Sequence, residues 1–204
     1  GVTAGDRESL DRYLESLTEI EATSLSRAFQ KPFWINLYNA LTIQVVLDHY
    51  PVDSIKDIDI SPGFFSSGPW DKKLVTIEGQ ELSLNDIEHR ILRPIWKDPR
   101  IHYAVNCASM GCPNLQRKAF TAENTDNLLD KAAREYINHP RGVNIENGDL
   151  VVSSIYDWFQ KDFGDSEAGV IKHLMQYADP KLKQKLQGFE DIDDDRYDWS
   201  LNDG

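Results

Sequence analysis

The segment "HYAVNCASMGCPNL", residues 102–115, concentrates the side chains that could do chemistry. It holds both cysteines of the 204-residue chain, Cys107 and Cys112, which lie five positions apart, and it begins with His102. Cysteine and histidine in this pattern can form a metal site, a disulfide or a nucleophilic pair. Each of these chemistries requires something different from the rest of the sequence.

A zinc site needs about four ligands, usually supplied as two pairs. Cys107 and Cys112 have the spacing of one such pair, and His102 is near, but no second Cys/His pair exists in the chain. The sequence therefore indicates no metal site, and nothing in it indicates another cofactor.

A disulfide between Cys107 and Cys112 is feasible if the intervening "ASMG" turns back on itself. It would close a very short loop and stabilise the fold by about 2 kcal/mol. The two cysteines fit either a disulfide in an oxidising compartment or a reduced pair in the cytosol. Localisation stays open on these grounds, and a periplasmic or secreted protein is favoured over a cytoplasmic one. The start "GVTAG" fits a mature N-terminus or a remnant of cloning.

The third chemistry is nucleophilic attack by Cys107. The stretch "RIHYAVNC" alternates like a strand and ends at this cysteine, and the small residues that follow would let backbone N–H groups converge as an oxyanion hole. In a regular strand His102 faces away from Cys107, so His89, on a preceding short helix, is the expected base. A bulge at the strand end would reverse that choice.

In the enzyme hypothesis, Cys107 attacks an acyl group and His89 accepts its proton. The imidazole would be oriented by Glu88 or by a buried asparagine. Glu88 is adjacent to His89 in a helix and points about 100° away. Asn36 and Asn39 are rival candidates, and their alternative role is to bind neighbouring backbone groups.

A binding module without turnover is the competing hypothesis. The same pocket would hold a small peptide or thiol such as glutathione, which offers a thiol to Cys107 and a γ-amide. Arg100 could clamp a carboxylate in two-point fashion or form a surface ion pair. Asn106, beside the cysteine, is a further candidate ligand contact.

A protein-interaction domain is the third hypothesis. The loop "SPGFFSSGPW" carries Phe64, Phe65 and Trp70 among chain-breaking residues, where a core element is not expected. It could form a lid over the cysteine or a docking loop.

Two long helices are predicted to form the first part of the scaffold. Residues 6–29 have an apolar stripe at helical spacing, followed by a break at Lys31-Pro32. "FWINLYNALTIQVVLDHYP" is apolar on nearly every side, so it should be a buried central helix that ends before Pro51. An irregular loop over 52–73, a short hairpin over 74–82 and a helix ending near Arg93-Pro94 follow.

The second part of the chain mixes helices with a hairpin. We expect helices over 121–138, over "IYDWFQKDFG" and over 167–178, and a hairpin around Asn147-Gly148. The predicted fold class is α+β: a helix-rich domain with a small antiparallel sheet. Residues 1–30 would form an N-terminal helical segment that packs with a domain over 31–204 as a single globular unit.

Composition excludes two function classes. A net charge of −12, part of it in "DIDDDRYD", argues against nucleic-acid binding, which needs clustered basic residues. The longest near-apolar run, over 33–47, is interrupted by polar residues and is too short and polar to span a membrane. Oligomeric state is not indicated by the sequence.

Five blocks of the sequence, in order, resemble the family called domain of unknown function 547. They are "FWINLYNALTI", "IEHRILR", "DPRIHYAVNCASMGCPNL", "SSIYDWFQKDFG" and "YDWSLND", and the resemblance covers about residues 30–202. Bacterial members carry the same blocks, and plants carry the domain behind a coiled coil.

The family is similar to papain- and transglutaminase-like cysteine enzymes in a rearranged form. The resemblance therefore implies a papain/transglutaminase-like fold and a cysteine peptidase or transglutaminase-like activity. Carried over to this chain, it implies that Cys107 is the functional cysteine and Cys112 an accessory, such as a resolving thiol. The order departs from that superfamily, because the core helix begins "FWINLYN" without a cysteine and His89 precedes Cys107.

Overall fold

A computed structural model describes residues 1–63 and 67–203, and its architecture is α+β, as predicted. In this described part, helices surround two small sheets. The helices are α1 (Ala4–Thr18), α2 (Arg27–His49), α3 (Arg93–Trp96), α4 (Thr125–Ile137), α5 (Ile155–Trp158), α6 (Glu167–Tyr177) and α7 (Pro180–Leu186). The strands are β1 (Val75–Ile77), β2 (Gln80–Leu82), β3 (Val143–Glu146), β4 (Asp149–Ser153) and β5 (Asp194–Arg196).

The long helix α2 is the buried centre of the molecule, as its apolar sequence predicts. The predicted break at Lys31-Pro32 is wrong, because α2 begins at Arg27 and runs through the proline. Its first turn is set by the Ser26 carbonyl, which accepts hydrogen bonds from the N–H groups of residues 29 and 30. Pro32 lies in the second turn, where its missing N–H costs one backbone hydrogen bond. The predicted first helix, over 6–29, is correspondingly shorter, since α1 ends at Thr18.

The predicted strand before Cys107 is wrong. Pro99–Tyr103 forms a 3-10 helix instead. Asp98 accepts a hydrogen bond from the Arg100 N–H at 3.0 Å, and Pro99 suits the first helical position, so the local sequence starts a helical turn. Residues 101–105 are all buried, which explains why an apolar stretch of this kind imitates a strand.

The predicted helix before Arg93 exists, but its core is a π-helix. Asp86–Leu92 has the wider turn, and the Arg93 N–H bonds to the Glu88 carbonyl five residues earlier. Such turns are rare and occur frequently at functional sites. This one carries both Glu88 and His89.

Both predicted hairpins are confirmed. β1 pairs with β2, and β3 pairs with β4 around Asn147 and Gly148, whose φ angles of 53° and 99° suit a two-residue hairpin turn. β5 then pairs with β4 in parallel, which the sequence did not predict. The acidic segment is thus part of a sheet and not a free tail. Helices α4 and α6 confirm the two predicted helices, with α4 beginning at Thr125.

Two further expectations concern the aromatic segments and the membrane. Tyr156 and Phe163 of the predicted aromatic helix are buried in the core. Phe64 and Phe65 of the proposed lid lie outside the described residues. No helix in the described ranges has the length and apolarity to cross a bilayer, in agreement with the interrupted run in α2.

Candidate functional site

A pocket of about 200 Å³ lies where the three apolar clusters of the core meet, and Cys107 lines it. Its walls are mainly aromatic, and its polar members come from the π-helix, the 3-10 helix and the cysteine turn. The lining residues are Tyr38, Trp70, Asn85, Glu88, His89, His102, Val105, Cys107, Cys112, Ile155, Trp158, Phe159, Tyr197 and Trp199. The size suits a small acyl or aromatic group.

The half-buried sulfur of Cys107 lies within hydrogen-bond distance of two hydroxyl groups, and the Ser109 hydroxyl also donates to the Tyr197 hydroxyl at 2.8 Å. The Tyr197 hydroxyl lies 2.9 Å and the Ser109 hydroxyl 3.2 Å from its Sγ. Hydrogen bonds from Cys112, Ser109 and Tyr197 outweigh the effect of burial and lower the pKa of Cys107 to about 7. A substantial fraction of this thiol is therefore thiolate at neutral pH, which is the reactive form.

Cys112 is a buried, free thiol directly behind Cys107. Its Sγ accepts a hydrogen bond from the Cys107 N–H at 3.1 Å. Cys107 and Cys112 were candidates for a disulfide, and in this structure both are free thiols. Burial and the neighbouring Cys107 raise the pKa of Cys112 well above its usual value. Of the two sulfurs, Cys107 is therefore the one whose surroundings favour the thiolate, and those of Cys112 favour the thiol.

Two asparagines hold the turn that presents the cysteine. Asn39 of α2 donates to the Ala104 carbonyl at 2.8 Å and accepts the Asn106 N–H at 2.8 Å. Asn106 donates to the Pro113 carbonyl and accepts the Ala108 N–H at 2.7 Å. Ala108 itself has a φ of 58°, a strained conformation for a residue other than glycine. The turn is thus held in a shape that its own sequence does not favour.

His89 lines the pocket and accepts a hydrogen bond from Arg93. The Arg93 Nη1 lies 3.0 Å from His89 Nδ1, and a guanidinium can only donate, so Nδ1 must accept. The neutral imidazole then carries its proton on Nε2. Burial and the positive charge of Arg93 lower the pKa of His89, whereas the negative charge of Glu88 raises it. The net effect is a lowered pKa, which favours the neutral form.

A chain of acidic groups and histidine runs along one side of the pocket. His102 is buried, donates from Nε2 to Asp162 at 2.7 Å, and has Nδ1 3.6 Å from the carboxyl oxygen of Glu88. The Tyr38 hydroxyl hydrogen-bonds to Glu88, and burial together with that carboxyl raises the pKa of Tyr38 far above its usual range. The Nε2 proton of His102 is thus used in the hydrogen bond to Asp162. Among the described contacts, neither His89 nor His102 hydrogen-bonds to Cys107.

The aromatic walls come from distant parts of the chain. The rings of Trp158, Tyr197 and Trp199 pack together with centroid separations of 4.7–5.5 Å. Phe159 stacks on His102 at 4.3 Å. Such walls favour flat apolar groups over extended polar ones.

Of the residues predicted for the site, the structure brings Cys107, Cys112, His89 and Glu88 to one pocket. Asn39 and Asn106 support the cysteine turn, and Asn36 lies outside, where it bonds to the N–H and carbonyl of residue 120. Arg100 is not in the pocket. Its guanidinium is bound to three carboxylates, those of Asp98, Asp126 and Asp130.

Sequence reasoning missed the donors on the sulfur, Tyr197 and Ser109, and the partner of His102, Asp162. One signal for Tyr197 is present: the tripeptide Tyr-Asp-Trp occurs at 156–158 and again at 197–199, and both tryptophans line the pocket. No comparable pattern marks Ser109 or Asp162.

These features define an α+β domain built around a cysteine-centred aromatic pocket. The family model described as "Protein of unknown function, DUF547" matches residues 22–137, more than half of the chain. The chain belongs to this family, as the sequence blocks indicated. Comparisons with curated proteins and with solved structures returned no match.

Proposed function

We propose that this domain catalyses acyl transfer from an ester or thioester, with Cys107 as the nucleophile. The observation that carries the proposal is the set of hydroxyl donors on the Cys107 sulfur, inside a pocket of substrate size. These donors supply thiolate at neutral pH without a histidine ion pair. The acceptor would be water or a second small nucleophile.

In the first step the Cys107 thiolate attacks the carbonyl carbon. A carbon–sulfur bond forms while the carbonyl π electrons move to oxygen. The Ser109 and Tyr197 hydroxyls, which had stabilised the thiolate, can then donate to the new oxyanion. Collapse re-forms the carbonyl, and the leaving oxygen or sulfur departs with the bonding pair and takes a proton from water. Attack of the acceptor on the resulting thioester releases the Cys107 thiolate.

His89 would act as a further donor to the carbonyl oxygen and not as a base. Its Nδ1 accepts a hydrogen bond from Arg93, so the proton of the neutral ring is on Nε2. Nε2 can therefore donate a hydrogen bond, but a neutral imidazole is too weak an acid to transfer that proton. An amide or an alkyl ester needs a proton delivered to its leaving atom, whereas a thioester or an aryl ester expels a stable anion without a strong acid. The tautomer of His89 therefore favours thioester or aryl ester substrates over amides.

A non-catalytic thiol-binding module is the second candidate, and the position of Cys112 favours it. The Cys107 thiolate would attack a small disulfide such as oxidised glutathione, and the other half would leave as a thiolate. Cys112, whose sulfur lies 3.1 Å from the Cys107 nitrogen, could then lose its proton to water and attack the Cys107 sulfur, which forms a Cys107–Cys112 disulfide and releases glutathione as a thiolate.

Mass spectrometry of the intact protein separates the two candidates. With a 4-nitrophenyl ester, we expect a burst of nitrophenolate and an acyl adduct on Cys107 that is absent in Cys107→Ala and retained in Cys112→Ser. Incubation with oxidised glutathione that gives a glutathione adduct on Cys112→Ser, or an internal disulfide in the unmodified protein, without any acyl adduct in the ester reaction, would favour the binding module. If Cys107 forms no acyl adduct, no glutathione adduct and no internal disulfide, both candidates fail.

A further inference from the structure

A second pocket, of about 430 Å³, adjoins the cysteine pocket and shares His89 with it. Its lining is almost entirely charged, in contrast to the aromatic walls of the first. The lining residues are His89, Arg93, Pro94, Lys97, Asp98, Lys161 and Asp162. His89 therefore lines both the cysteine pocket and the charged pocket.

The two carboxylates of this pocket are already matched by cations. Asp162 accepts from Arg93 Nε at 2.6 Å and from His102 at 2.7 Å. Asp98 is bound by Lys31 and, at 2.8 Å, by Arg100. Neither carboxylate has spare negative charge to offer a cationic ligand.

The two lysines of the pocket are exposed, and among the described residues neither forms an ion pair. Lys97 ends α3 in the left-handed conformation, with a φ of 49°, and its N–H bonds to the Arg93 carbonyl. Glycine is the usual residue at such a helix end. A lysine in the left-handed conformation raises the backbone energy relative to glycine. Its side chain places a positive charge at the rim of the pocket.

Arg93 connects the two pockets. Its guanidinium uses Nε for Asp162 and Nη1 for His89, and it lies 4.6 Å over the ring of Phe159, which lines the cysteine pocket. A guanidinium has five N–H donors in a planar fork, so donors remain for an anion. An anion held here would lie beside the His89 that faces the acyl group.

We infer that the Arg93–Lys97–Lys161 pocket binds an anionic group of the substrate, a carboxylate or phosphate, while the acyl carbon reaches Cys107. This inference rests on the proposed function, because it names the substrate class of that same site. The three cationic side chains of the pocket outnumber its two carboxylates although the chain as a whole has a net charge of −12, so the pocket favours an anion.

Alkylation of Cys107 by tethered probes tests the inference. The probes are the iodoacetyl derivatives of glycine, 4-aminobutyrate and 6-aminohexanoate, the neutral amide of each, and an aminoalkyl phosphate of the best length. We expect one length at which the carboxylate reacts about fivefold faster than its amide, because two exposed ion pairs contribute modestly. Raising the salt concentration should remove the preference.

The variants Lys97→Gln with Lys161→Gln should bring the carboxylate-to-amide ratio close to one. Lys172→Gln, which removes an exposed lysine of α6, is the matched control and should leave the ratio unchanged. A phosphate probe that outcompetes the carboxylate identifies the anion as phosphate, and the reverse result identifies a carboxylate.

Two failures are distinguishable. If the amides alkylate Cys107 rapidly but no length shows a preference for the acid, the anion pocket is refuted and the thiolate proposal stands. If no probe alkylates Cys107 faster than it alkylates free cysteine at the same pH, the proposed function fails as well.

Discussion

The Tyr197 hydroxyl lies 2.9 Å from the sulfur of Cys107, although the two residues are ninety positions apart in the chain. β5 brings the phenol there by pairing with β4, and the chain then runs along the cysteine turn. Two backbone hydrogen bonds fasten it, from Met110 to the Ser200 carbonyl and from Gly111 to the Asp198 carbonyl, both 2.8 Å. The segment that follows the last strand therefore lines the cysteine pocket.

The first prediction concerns that phenol. Tyr197→Phe removes a donor from the thiolate, and a hydrogen bond to a charged group contributes about 1.5–3 kcal/mol. We expect the pKa of Cys107 to rise by about one to two units, since 1.36 kcal/mol corresponds to one unit. The pH dependence of iodoacetamide alkylation measures it. Tyr13→Phe, a tyrosine of α1, is the control, and an unchanged Cys107 titration in Tyr197→Phe would show that the phenol does not stabilise the thiolate.

The second prediction concerns Cys112. The hydrogen bond from Cys112 is the largest influence that lowers the pKa of Cys107. Cys112→Ala should therefore raise the pKa of Cys107 more than Tyr197→Phe does. Cys112→Ser keeps an O–H donor in nearly the same place and should restore most of the shift. The same alkylation titration gives all three values, and equal effects of Ala and Ser would mean that Cys112 acts through packing alone.

Local patterns in the sequence were sufficient for the elements whose stability is local. The buried helix α2, with few polar positions, and the hairpin around Asn147-Gly148 both carry their signals within a few residues, and both were predicted. The 3-10 helix before Cys107 was not predicted, because a helical segment that is buried on all sides has the same run of apolar residues as a buried strand. Only the cap at Asp98-Pro99 pointed to a helical turn.

The site was predicted in part for the same reason. Cys107, His89 and Glu88 were identified because they cluster in sequence and have reactive side chains. Tyr197, the partner of Cys107, and Asp162, the partner of His102 and Arg93, come from distant parts of the chain, and no local pattern encodes these contacts. The role of His89 depends on Arg93, one helical turn later, and follows only once the direction of that hydrogen bond is known.

The third prediction concerns acid stability. Burial alone would raise the pKa of Asp98, but hydrogen bonds from Arg100 and Lys31 outweigh it and lower the pKa to about 2. A carboxyl with a depressed folded-state pKa stabilises the fold above its unfolded pKa of about 4. That stabilisation should be lost as the pH falls from about 4 to about 2.

Asp98→Asn should therefore lower the free energy of unfolding at pH 7 by about 3 kcal/mol, because it leaves Lys31 and Arg100 without a full partner. In this variant the free energy of unfolding should also fall less steeply as the pH is lowered from about 4 to about 2. Asp126→Asn is the matched control, because Asp126 binds the same arginine but its side chain is 83% exposed, and it should cost under about 0.5 kcal/mol. Urea unfolding between pH 2 and pH 7 measures both, and equal losses in the two variants would contradict the assignment.

The last prediction separates a donor from a base at His89. A base or ion-pair partner sets the pKa of its cysteine, whereas a donor to the carbonyl oxygen acts only when substrate is bound. Because no described hydrogen bond joins His89 to the sulfur, His89→Ala should leave the alkylation titration of Cys107 unchanged. It should nevertheless slow acylation by a 4-nitrophenyl ester by about a hundredfold, the lower end of the range for loss of one oxyanion donor, because the His89 side chain is 36% exposed. His89→Gln retains an N–H donor and should recover much of the rate. A rise in the pKa of Cys107 towards about 8.5 in His89→Ala would instead identify His89 as the ion-pair partner of the thiolate.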